Sequence, residues 1–497
     1  MGPESEREKG PRGTLIIVGG GFSGTLAALL AHRRGAFDVV LVEREAQAGL
    51  GLAYGACDAH HVLNVPVVRM ELGLEPSFAT WLQASGVDLE AALAEAGGDL
   101  SQAFVPRALF GAYVATQWEA ALAEAQNAGA PRLRRVRGAV VEVRAQPMPG
   151  VVLADGRRLT GTHVLLATGN LPPKPPRCAD AAFYDTPRFI PDPWARGALT
   201  ALPPDATVLL IGSGLTLVDV ALKLAAAGHR GPLVAVSRHG LLPQVHAAGG
   251  RFAAFLSPAL APTPRAGLRA IRQAVARAAA EGIPWQRVMD AVRPAIATIW
   301  SHWTQPEKAR FLRHARTYWD VHRHRMAPRV ADRLQALIGS GQLRVVAGRI
   351  TGYRAGTDGV SITLRHRGGG HDRSHDRGHE EVRAAAVINC TGPRSDFATL
   401  GLPPFAALRD AGHIVPDALG LGLETRGCAL VDRYGAASSW LHAVGPLTRP
   451  AWWEITAVPE IAAQIHRLVE DLADGTLSAP GVPADLLVDF VNLGAGI

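Results

Sequence analysis

The chain has 497 residues, of which 48% are hydrophobic and 19% are charged, and this balance excludes an intrinsically disordered protein. The net charge is +7, but the cations are mostly arginines scattered along the chain, which argues against a nucleic-acid partner. The length predicts about two to three domains, and the four cysteines form no CxxC pair, so neither a redox dithiol nor a zinc ribbon, and no metal site, is expected.

Residues 14–31 are almost free of charge and follow a basic stretch, a pattern that resembles a signal peptide or a short membrane span. Three consecutive glycines inside it would weaken a membrane helix, whereas they suit a turn between a strand and a helix. No other apolar run reaches the roughly 18 residues of a membrane span. Together with the few, widely spaced cysteines, this predicts a cytoplasmic protein with no membrane partner.

The first predicted unit is a strand, a helix and a strand at residues 14–18, 23–34 and 38–43. Its glycine turn fits GxGxxG, in which the first glycine permits the turn, the second admits a pyrophosphate and the third allows close helix–strand packing. An acid at the end of the second strand would accept hydrogen bonds from ribose hydroxyls. The cofactor contacts predicted here are Gly19, Gly21, Phe22, Ser23, Gly24, Glu43 and Arg44.

Helices are predicted over 78–125, and strands at 134–144, 151–153 and 162–167. The last of these strands ends in Thr168 and Gly169, two further predicted cofactor contacts. The proline-rich stretch 171–176 predicts a linker. A second strand–helix–strand unit begins at 208, which suggests a second dinucleotide.

The second glycine turn has Leu217 where the pattern expects a third glycine, and a large side chain there should push the helix away from the strand. Its second strand ends in an arginine rather than an acid. Arg238 could clamp a 2′-phosphate, which favours NADPH over NADH, or could be a solvated strand end. The contacts predicted for this nucleotide are Gly212, Gly214, Leu215, Thr216, Ser237 and Arg238.

Helices are predicted over 265–325, ending in the cationic run 319–325. This run either recognises an anionic or polar substrate or the NADPH phosphate, or is a solvated helix end with Asp–Arg pairs. Strands are predicted at 343–354, 360–365 and 387–390, and a last helix near Pro459. The His- and Gly-rich run 368–379 is interpreted as a polar hairpin tip in preference to a metal site.

Segments spread over nearly the whole chain resemble the two-dinucleotide flavoproteins that include flavin-containing and N-hydroxylating monooxygenases. They are most similar to a family of FAD/NAD(P)-binding proteins that contains bacterial FAD-dependent urate hydroxylases and nitrosuccinate-forming aspartate N-monooxygenases. The segments are the GGGFSG turn at 19–24, GLAY at 51–54, HVLNVP at 61–66, VPRALFGAY at 105–113, ATGN at 167–170, GSGLTLVD at 212–219, WDVHRHR at 319–325, NCTGP at 389–393 and WEITAVPE at 453–460.

The resemblance implies FAD in the first site and NADPH or NADH in the second. It places His61 and Asn64 near the flavin ring, with Arg107 as a third candidate catalytic residue, although Asn64 could instead stabilise its loop. It also implies that Thr456 and Ala457 lead into a helix whose N-terminus faces the flavin and stabilises negative charge on it. The usual Gly-Asp flavin signature is Gly445-Pro446 here, so the Asp contact is missing.

The predicted fold class is α/β, with two Rossmann-like dinucleotide-binding domains and a helical insertion. The FAD domain is discontinuous, at 13–170 and 385–497, and the NAD(P)H domain spans 171–384 with the insertion at 251–328. The expected activity is a monooxygenase that hydroxylates a small amine, amino acid or purine with O₂ through a flavin C4a-hydroperoxide. A reductase without oxygen insertion, or a redox sensor without turnover, stays open, as does a homo-oligomer.

Overall fold

The computed structural model describes residues 12–475 except 59, 128–131, 179 and 368–377, so most of the predicted hairpin tip at 368–379 lies outside the described residues. The strands are β1 (Gly13–Val18), β2 (Phe37–Glu43), β3 (Leu133–Arg137), β4 (Val140–Arg144), β5 (Gly150–Leu153), β6 (Arg158–Thr160), β7 (His163–Leu166), β8 (Phe189–Ile190), β9 (Val208–Ile211), β10 (Leu233–Ser237), β11 (Leu343–Ala355), β12 (Val360–His366), β13 (His379–Ala384), β14 (Ala386–Asn389), β15 (Thr425–Arg426), β16 (Ala429–Val431) and β17 (Ala437–Ala443).

Helices cover the sheets and build a separate helical segment between β10 and β11. They are α1 (Phe22–Arg34), α2 (Gly51–Gly55), α3 (Phe78–Ala84), α4 (Glu90–Glu95), α5 (Arg107–Asn127), α6 (Leu215–Ala226), α7 (Pro264–Ala280), α8 (Trp285–Val292), α9 (Ile296–His302), α10 (Gln305–His314), α11 (Arg316–Arg323), α12 (Pro328–Gly339), α13 (Phe405–Ala411) and α14 (Val458–Asp474). None of the helices in the described ranges is long and apolar enough to cross a bilayer.

The first seven-stranded sheet has the order β15-β16-β17-β7-β1-β2-β3, with β1 parallel to both β2 and β7. The internal strand β1 is buried from Leu15 to Val18, as expected for a parallel strand that is covered on both faces. Helices α1, α5 and α14 pack together on one face around Leu26, Phe110 and Ile465. The carboxyl ends of β1, β2 and β7 therefore meet at one edge of the sheet.

The second seven-stranded sheet has the order β13-β12-β11-β10-β9-β14-β8. Strand β9 lies between β10 and β14 and is parallel to both. Helices α6 and α12 cover one face, with Leu217 and Leu334 fully buried. The fold class predicted from the sequence, α/β with two dinucleotide-binding domains, is thus confirmed, and the predicted helical insertion corresponds to α7–α11.

The chain crosses between the two sheets and then returns to the first. Strands from residues 189 to 389 build the second sheet, whereas β15–β17 rejoin the first sheet beside β7. Strand β14 (Ala386–Asn389) is internal to the second sheet, so the predicted boundary between 384 and 385 falls before this strand. The domain limits themselves stay a prediction.

Candidate active site

Two of the three glycines of the first turn sit where a side chain would collide with the backbone, and the third has little room for one. Gly19 has φ +103°, and a Cβ there would lie 2.6 Å from the Ala167 carbonyl oxygen. A Cβ on Gly24 would lie 1.8 Å from the Gly19 oxygen. At Gly21 a Cβ would come within 3.3 Å of the Gly51 Cα, so the GLAY segment closes over the turn. The GxGxxG pattern here is therefore required by packing.

The N-terminus of α1 offers unused backbone donors to an anion. Gly21 caps the helix without a side-chain hydrogen bond, and its first turn contains no acid. The buried Thr168 hydroxyl has no hydrogen-bond partner among the described residues. A Cβ on Gly445 would approach the Ser23 hydroxyl to 3.3 Å, so the Gly445-Pro446 segment reaches the same helix end. These residues fit the pyrophosphate of FAD.

The Glu43 carboxylate closes the first turn from the end of β2. It accepts hydrogen bonds from the backbone N–H groups of Gly20 at 2.6 Å and Glu45 at 2.9 Å. Each carboxylate oxygen keeps a further lone pair that can accept a ribose hydroxyl. Arg44 instead lies on the surface in a 3.6 Å ion pair with Glu45.

The first glycine of the second turn, Gly212, has the same backbone geometry as Gly19 of the first turn. Gly212 has φ +109°, and a Cβ there would lie 2.6 Å from the Cys390 carbonyl oxygen, the same clearance that Gly19 has from Ala167. The third position differs, because Leu217 points into the core between α6 and β9 and is fully buried. Leucine at this position thus contributes packing, and the second unit is a complete strand–turn–helix despite the missing glycine.

The remaining predicted nucleotide contacts surround this turn. Gly214 caps α6 without a side-chain hydrogen bond and has open space beside it, and Leu215 and Thr216 form the first turn of the helix. The Ser237 hydroxyl is 2.8 Å from the Ser213 hydroxyl and accepts a hydrogen bond from the Gly240 N–H. Arg238 is exposed at the end of β10. Helix α6, like α1, therefore presents free N–H groups to a phosphate.

A cleft lies where the Gly169 segment, the residues after β14 and the segment before α14 meet. Two residues predicted from the sequence line it, Gly169 and Thr456. Ala457 caps α14 without a side-chain hydrogen bond. The full lining is Gly169, Asn170, Leu171, Pro393, Arg394, Ser395, Phe397, Pro446, Leu447, Arg449 and Thr456.

His61 is buried, with 1% of its surface exposed. Its Nδ1 accepts a hydrogen bond from the Asp58 N–H at 3.0 Å, and its ring meets that of Trp194 edge to face. Burial lowers the pKa of His61 more than the Asp219 charge raises it, so the ring is neutral near pH 7. Its Nε2 has no partner among the described residues.

Asn64 is held through its backbone. Its carbonyl oxygen lies 2.9 Å from Nε2 of His246, whose ring packs on Phe104. Burial lowers the pKa of His246 to about 3, so the neutral ring donates this hydrogen bond from Nε2. The contact ties the HVLNVP loop to the segment that follows β10, and leaves the predicted role of the Asn64 side chain a proposal.

Arg107 joins the two dinucleotide-binding units. Its backbone N–H donates to the His61 carbonyl oxygen at 2.7 Å, which brings these two predicted residues together. Its guanidinium pairs with Asp219 of α6 at 3.2 Å. One turn further along α6, Lys223 pairs with Asp58 at 3.0 Å. Both contacts of Arg107 are structural, and they point to a positioning role.

Asp219→Asn and Arg107→Met should each lower activity to a similar degree, because either change breaks the same link between the units. The double variant should lose little more activity than either single variant. In a double-mutant cycle of kcat/KM for the nicotinamide nucleotide, the coupling energy should be about 0.5–3 kcal/mol. An additive result, with Arg107→Met alone lowering kcat, would instead assign Arg107 a direct catalytic role.

A buried arginine–carboxylate network links the helical segment to the FAD-binding unit. Sequence reasoning missed its acids. Glu454 and Glu460 flank the start of α14, and Arg323 at the end of α11 contacts both of them at 3.1 Å. Arg293 pairs with Glu460 at 2.6 Å, and the Trp319 indole donates to Glu454 at 2.7 Å. The solvated-face interpretation of the 319–325 run is therefore wrong for Arg323, which is 6% exposed.

A second part of the network centres on Asp290 of α8. This carboxylate pairs with Arg287 at 3.2 Å, with Arg69 at 3.6 Å and with Arg325, which is 3% exposed. Burial, together with the neighbouring charge of Arg293, lowers the pKa of Arg69 to about 9 against the effect of Asp290. The network is defined by Arg69, Arg287, Asp290, Arg293, Arg323, Arg325, Glu454 and Glu460.

The network and the cleft are adjacent. Glu454 belongs to the network and Thr456, two residues later, lines the cleft. A further cavity between α9 and α14 is lined by Ile296 and Ala463 together with the charged ends of Arg293 and Glu460. Acids within the otherwise apolar segment 453–463 were the sequence signal that could have revealed this network.

A family model matches the first part of the chain, and solved structures match nearly all of it. A family model described as FAD-NAD(P)-binding matches residues 16–171, the part that holds the first glycine turn, Glu43 and Thr168-Gly169. No curated protein matches the chain. Similar solved structures span nearly the whole chain at low identity.

An ornithine N-hydroxylase from Kutzneria sp. 744, solved with reduced FAD, NADP⁺ and L-ornithine, is 15% identical with a TM-score of 0.60, covering 94% of this chain and 100% of that chain. An L-lysine 6-monooxygenase from Pseudomonas syringae is 15% identical with a TM-score of 0.59, over 93% and 99%. The FAD-bound cadaverine monooxygenase from Erwinia amylovora is 11% identical with a TM-score of 0.62, over 95% and 96%.

At these identities the similarity establishes the fold. The family model, the two glycine turns and the shared architecture agree with one another. Residues 16–171 are therefore similar to an FAD-NAD(P)-binding family, and the whole chain has the fold of the N-hydroxylating monooxygenases compared above.

Proposed function

We propose that this chain is an FAD- and NADPH-dependent monooxygenase that uses O₂ to hydroxylate the nitrogen of an amine that also carries a carboxylate. The fold and both nucleotide turns support the cofactor pair. The similar structures are named as monooxygenases of ornithine, lysine and cadaverine, which supports an amine substrate. The carboxylate is argued from the charges of the buried network.

The network has more cations than anions, and none of its side chains is more than 23% exposed. Five arginines share three carboxylates, and the excess is concentrated where Asp290 alone faces Arg69, Arg287 and Arg325. Burial would raise the pKa of Asp290, but these arginines lower it. The carboxylate therefore stays ionised. Uncompensated buried charge is costly, so an anion from the substrate would stabilise this arrangement. This excess is the observation that carries the proposal.

Arg449 is the best-placed side chain to receive such an anion. It lines the cleft beside Thr456, and its guanidinium lies 4.3 Å from the centre of the Trp453 ring. No acid lies within ion-pair distance of it in the described ranges. Burial, with the charge of Arg316, lowers the pKa of Arg449 to about 10, so it stays charged at neutral pH. A carboxylate could bind it bidentately.

The chain's own residues divide the work. The α1 and α6 N-termini would hold the two pyrophosphates, and Glu43 the FAD ribose. Bound flavin supplies hydride acceptance from NADPH and activation of O₂. Arg449, beside the arginine network, would bind the carboxylate so that the substrate nitrogen is held in one orientation, and the indoles of Trp319 and Trp453 would exclude water.

The proposal is tested with matched amines that differ by one carboxylate. Lysine and ornithine should each give NADPH oxidation with an N-hydroxylated product, whereas cadaverine and putrescine should give little of either. Aspartate and urate are included, because the resembled family contains enzymes for both. Product mass, and O₂ uptake without stoichiometric peroxide, separate oxygenation from simple reduction of the flavin. Turnover of the decarboxylated partners at equal kcat/KM would overturn the carboxylate requirement.

Arg449→Met should raise the KM for the preferred carboxylate amine by roughly 10- to 100-fold, because a hydrogen bond to a charged group is worth about 1.5–3 kcal/mol. The KM for NADPH should not change. The control is Arg230→Met, which removes an exposed arginine that pairs with Asp205 at the opposite end of β10. If the two variants had the same KM for the amine, Arg449 would not be part of the substrate site.

A further inference from the structure

Arg367 lies at the end of β10, although it is far from that strand in sequence. Its backbone N–H donates to the Ala347 carbonyl oxygen at 2.9 Å. Ala347 of β11 is in turn the register partner of Ser237, the last residue of β10. Because β12 runs antiparallel to β11, Arg367 lies at the same end of the sheet as the second glycine turn.

The guanidinium of Arg367 reaches the residues that follow β10. Its Nη1 lies 3.5 Å from the Arg238 carbonyl oxygen, and it contacts the His239 ring, with Nε2 at 3.3 Å. The His239 ring packs against Tyr318 of α11. Burial, with the charges of Arg367, Arg238 and Arg349, lowers the pKa of His239.

The same sheet face carries further cations. Arg349 and Arg365 are direct cross-strand partners on β11 and β12. Arg365 and Arg367 share this face, because residues two apart on a strand point the same way. Like charges directly opposite each other destabilise a sheet. Among the described residues of β11–β13, the acid on this face is Glu381, which pairs with Arg354 at 3.7 Å. The opposite face is balanced, since Glu380 pairs there with Arg344 and with His366.

We propose that Arg367, acting with Arg238, binds the 2′-phosphate of NADPH and sets the preference for NADPH over NADH. In a strand–turn–helix nucleotide site the adenosine ribose lies beyond the end of the second strand, where an arginine accommodates a 2′-phosphate. A phosphate between these guanidiniums relieves their repulsion and accepts charge-assisted hydrogen bonds from both. The inference rests on the NADPH use in the proposed function, and deepens it by naming a second residue that recognises the phosphate.

Arg367→Ala should raise the KM for NADPH by roughly 10- to 100-fold and leave the KM for NADH unchanged. Arg367→Lys should retain part of the preference, because it keeps the charge and loses the bidentate geometry. The matched control is Arg344→Ala on β11, which removes an arginine from the balanced face of the same sheet. It should leave both KM values unchanged.

A binding measurement separates this inference from the proposed activity. Titration calorimetry of the purified full chain with 2′,5′-ADP and with 5′-AMP should show tighter binding of 2′,5′-ADP, lost in Arg367→Ala and kept in Arg344→Ala. If that pattern holds while no amine is oxygenated, the proposed function fails and the phosphate site stands. Equal losses of NADPH and NADH affinity in Arg367→Ala, or unchanged 2′,5′-ADP binding, would overturn the assignment.

Discussion

Gly24→Ala is expected to yield a protein that purifies with little or no flavin. The new Cβ would lie 1.8 Å from the Gly19 carbonyl oxygen and 3.2 Å from the Ala167 Cβ. Helix α1 is buried along its first ten residues and cannot tilt away freely. Relief of the overlap must therefore displace the glycine turn, at a cost of about 1–3 kcal/mol or more. The flavin-to-protein absorbance ratio should fall by at least about tenfold.

Two other glycine-to-alanine variants serve as controls for Gly24→Ala. Gly339→Ala, in α12, meets no atom within 4 Å and should keep full flavin content. Gly214→Ala also has open space in the protein, but alanine there would approach the nicotinamide pyrophosphate. It should retain flavin and weaken NADPH binding. Normal flavin content in Gly24→Ala would show that the first turn does not hold the pyrophosphate.

Arg323→Ala should be the most destabilising substitution of a charged residue that we propose. Its guanidinium contacts Glu454 and Glu460, and all three side chains are at most 13% exposed. Removal of one partner leaves buried carboxylates without full compensation, which costs about 3–5 kcal/mol. Equilibrium unfolding in urea at pH 7 should show this loss of stability, and the FAD-binding unit and helical segment should lose their common transition.

The comparison is Arg34→Ala, which removes a surface pair with Asp474 in which both side chains are more than half exposed. Exposed pairs contribute about 0–1 kcal/mol, so this variant should unfold almost as the parent does. A similar loss of stability in both variants would indicate that the buried network contributes no more than a surface pair.

The pH dependence of this network has a definite sign. Burial would raise the pKa of Glu460, but Arg293 and Arg323 lower it to about 2, below the ordinary 4.5. A lowered pKa stabilises the folded state fully above the ordinary value. That contribution is lost as the pH falls through about 2. The stability difference between Arg323→Ala and the parent should therefore shrink between pH 4.5 and 3.

Local signals were enough to predict both nucleotide units. A strand, a glycine turn and a helix follow one another within some 20 residues, so contacts such as that of Gly24 with Gly19 are nearly local in sequence. The same holds for Glu43, which reaches back to the Gly20 N–H. Leu217 shows the limit, because its burial behind β9 depends on the sheet order rather than on the turn pattern.

The roles of the charged residues, in contrast, cannot be predicted from local sequence. Arg323 was visible in the sequence only as part of a cationic run, and its interpretation depended on Glu454 and Glu460, more than 130 positions away. Arg107 is a candidate catalytic residue by resemblance, and only the structure shows its ion pair with Asp219 of α6, which supports a positioning role. A side chain of this kind acquires its role from partners that only the packing of distant elements provides.

The sequence by itself determined the α/β class, the two nucleotide turns and their order, because glycine geometry and strand–helix periodicity are properties of short segments. Within the described residues, only the packing of distant elements shows which arginines meet an acid. Arg344 and Arg367 both lie beside the same antiparallel hairpin, but Glu380 neutralises Arg344 whereas Arg367 turns toward Arg238 and His239. The alternation of strand faces and the register of β11 with β12 set that difference.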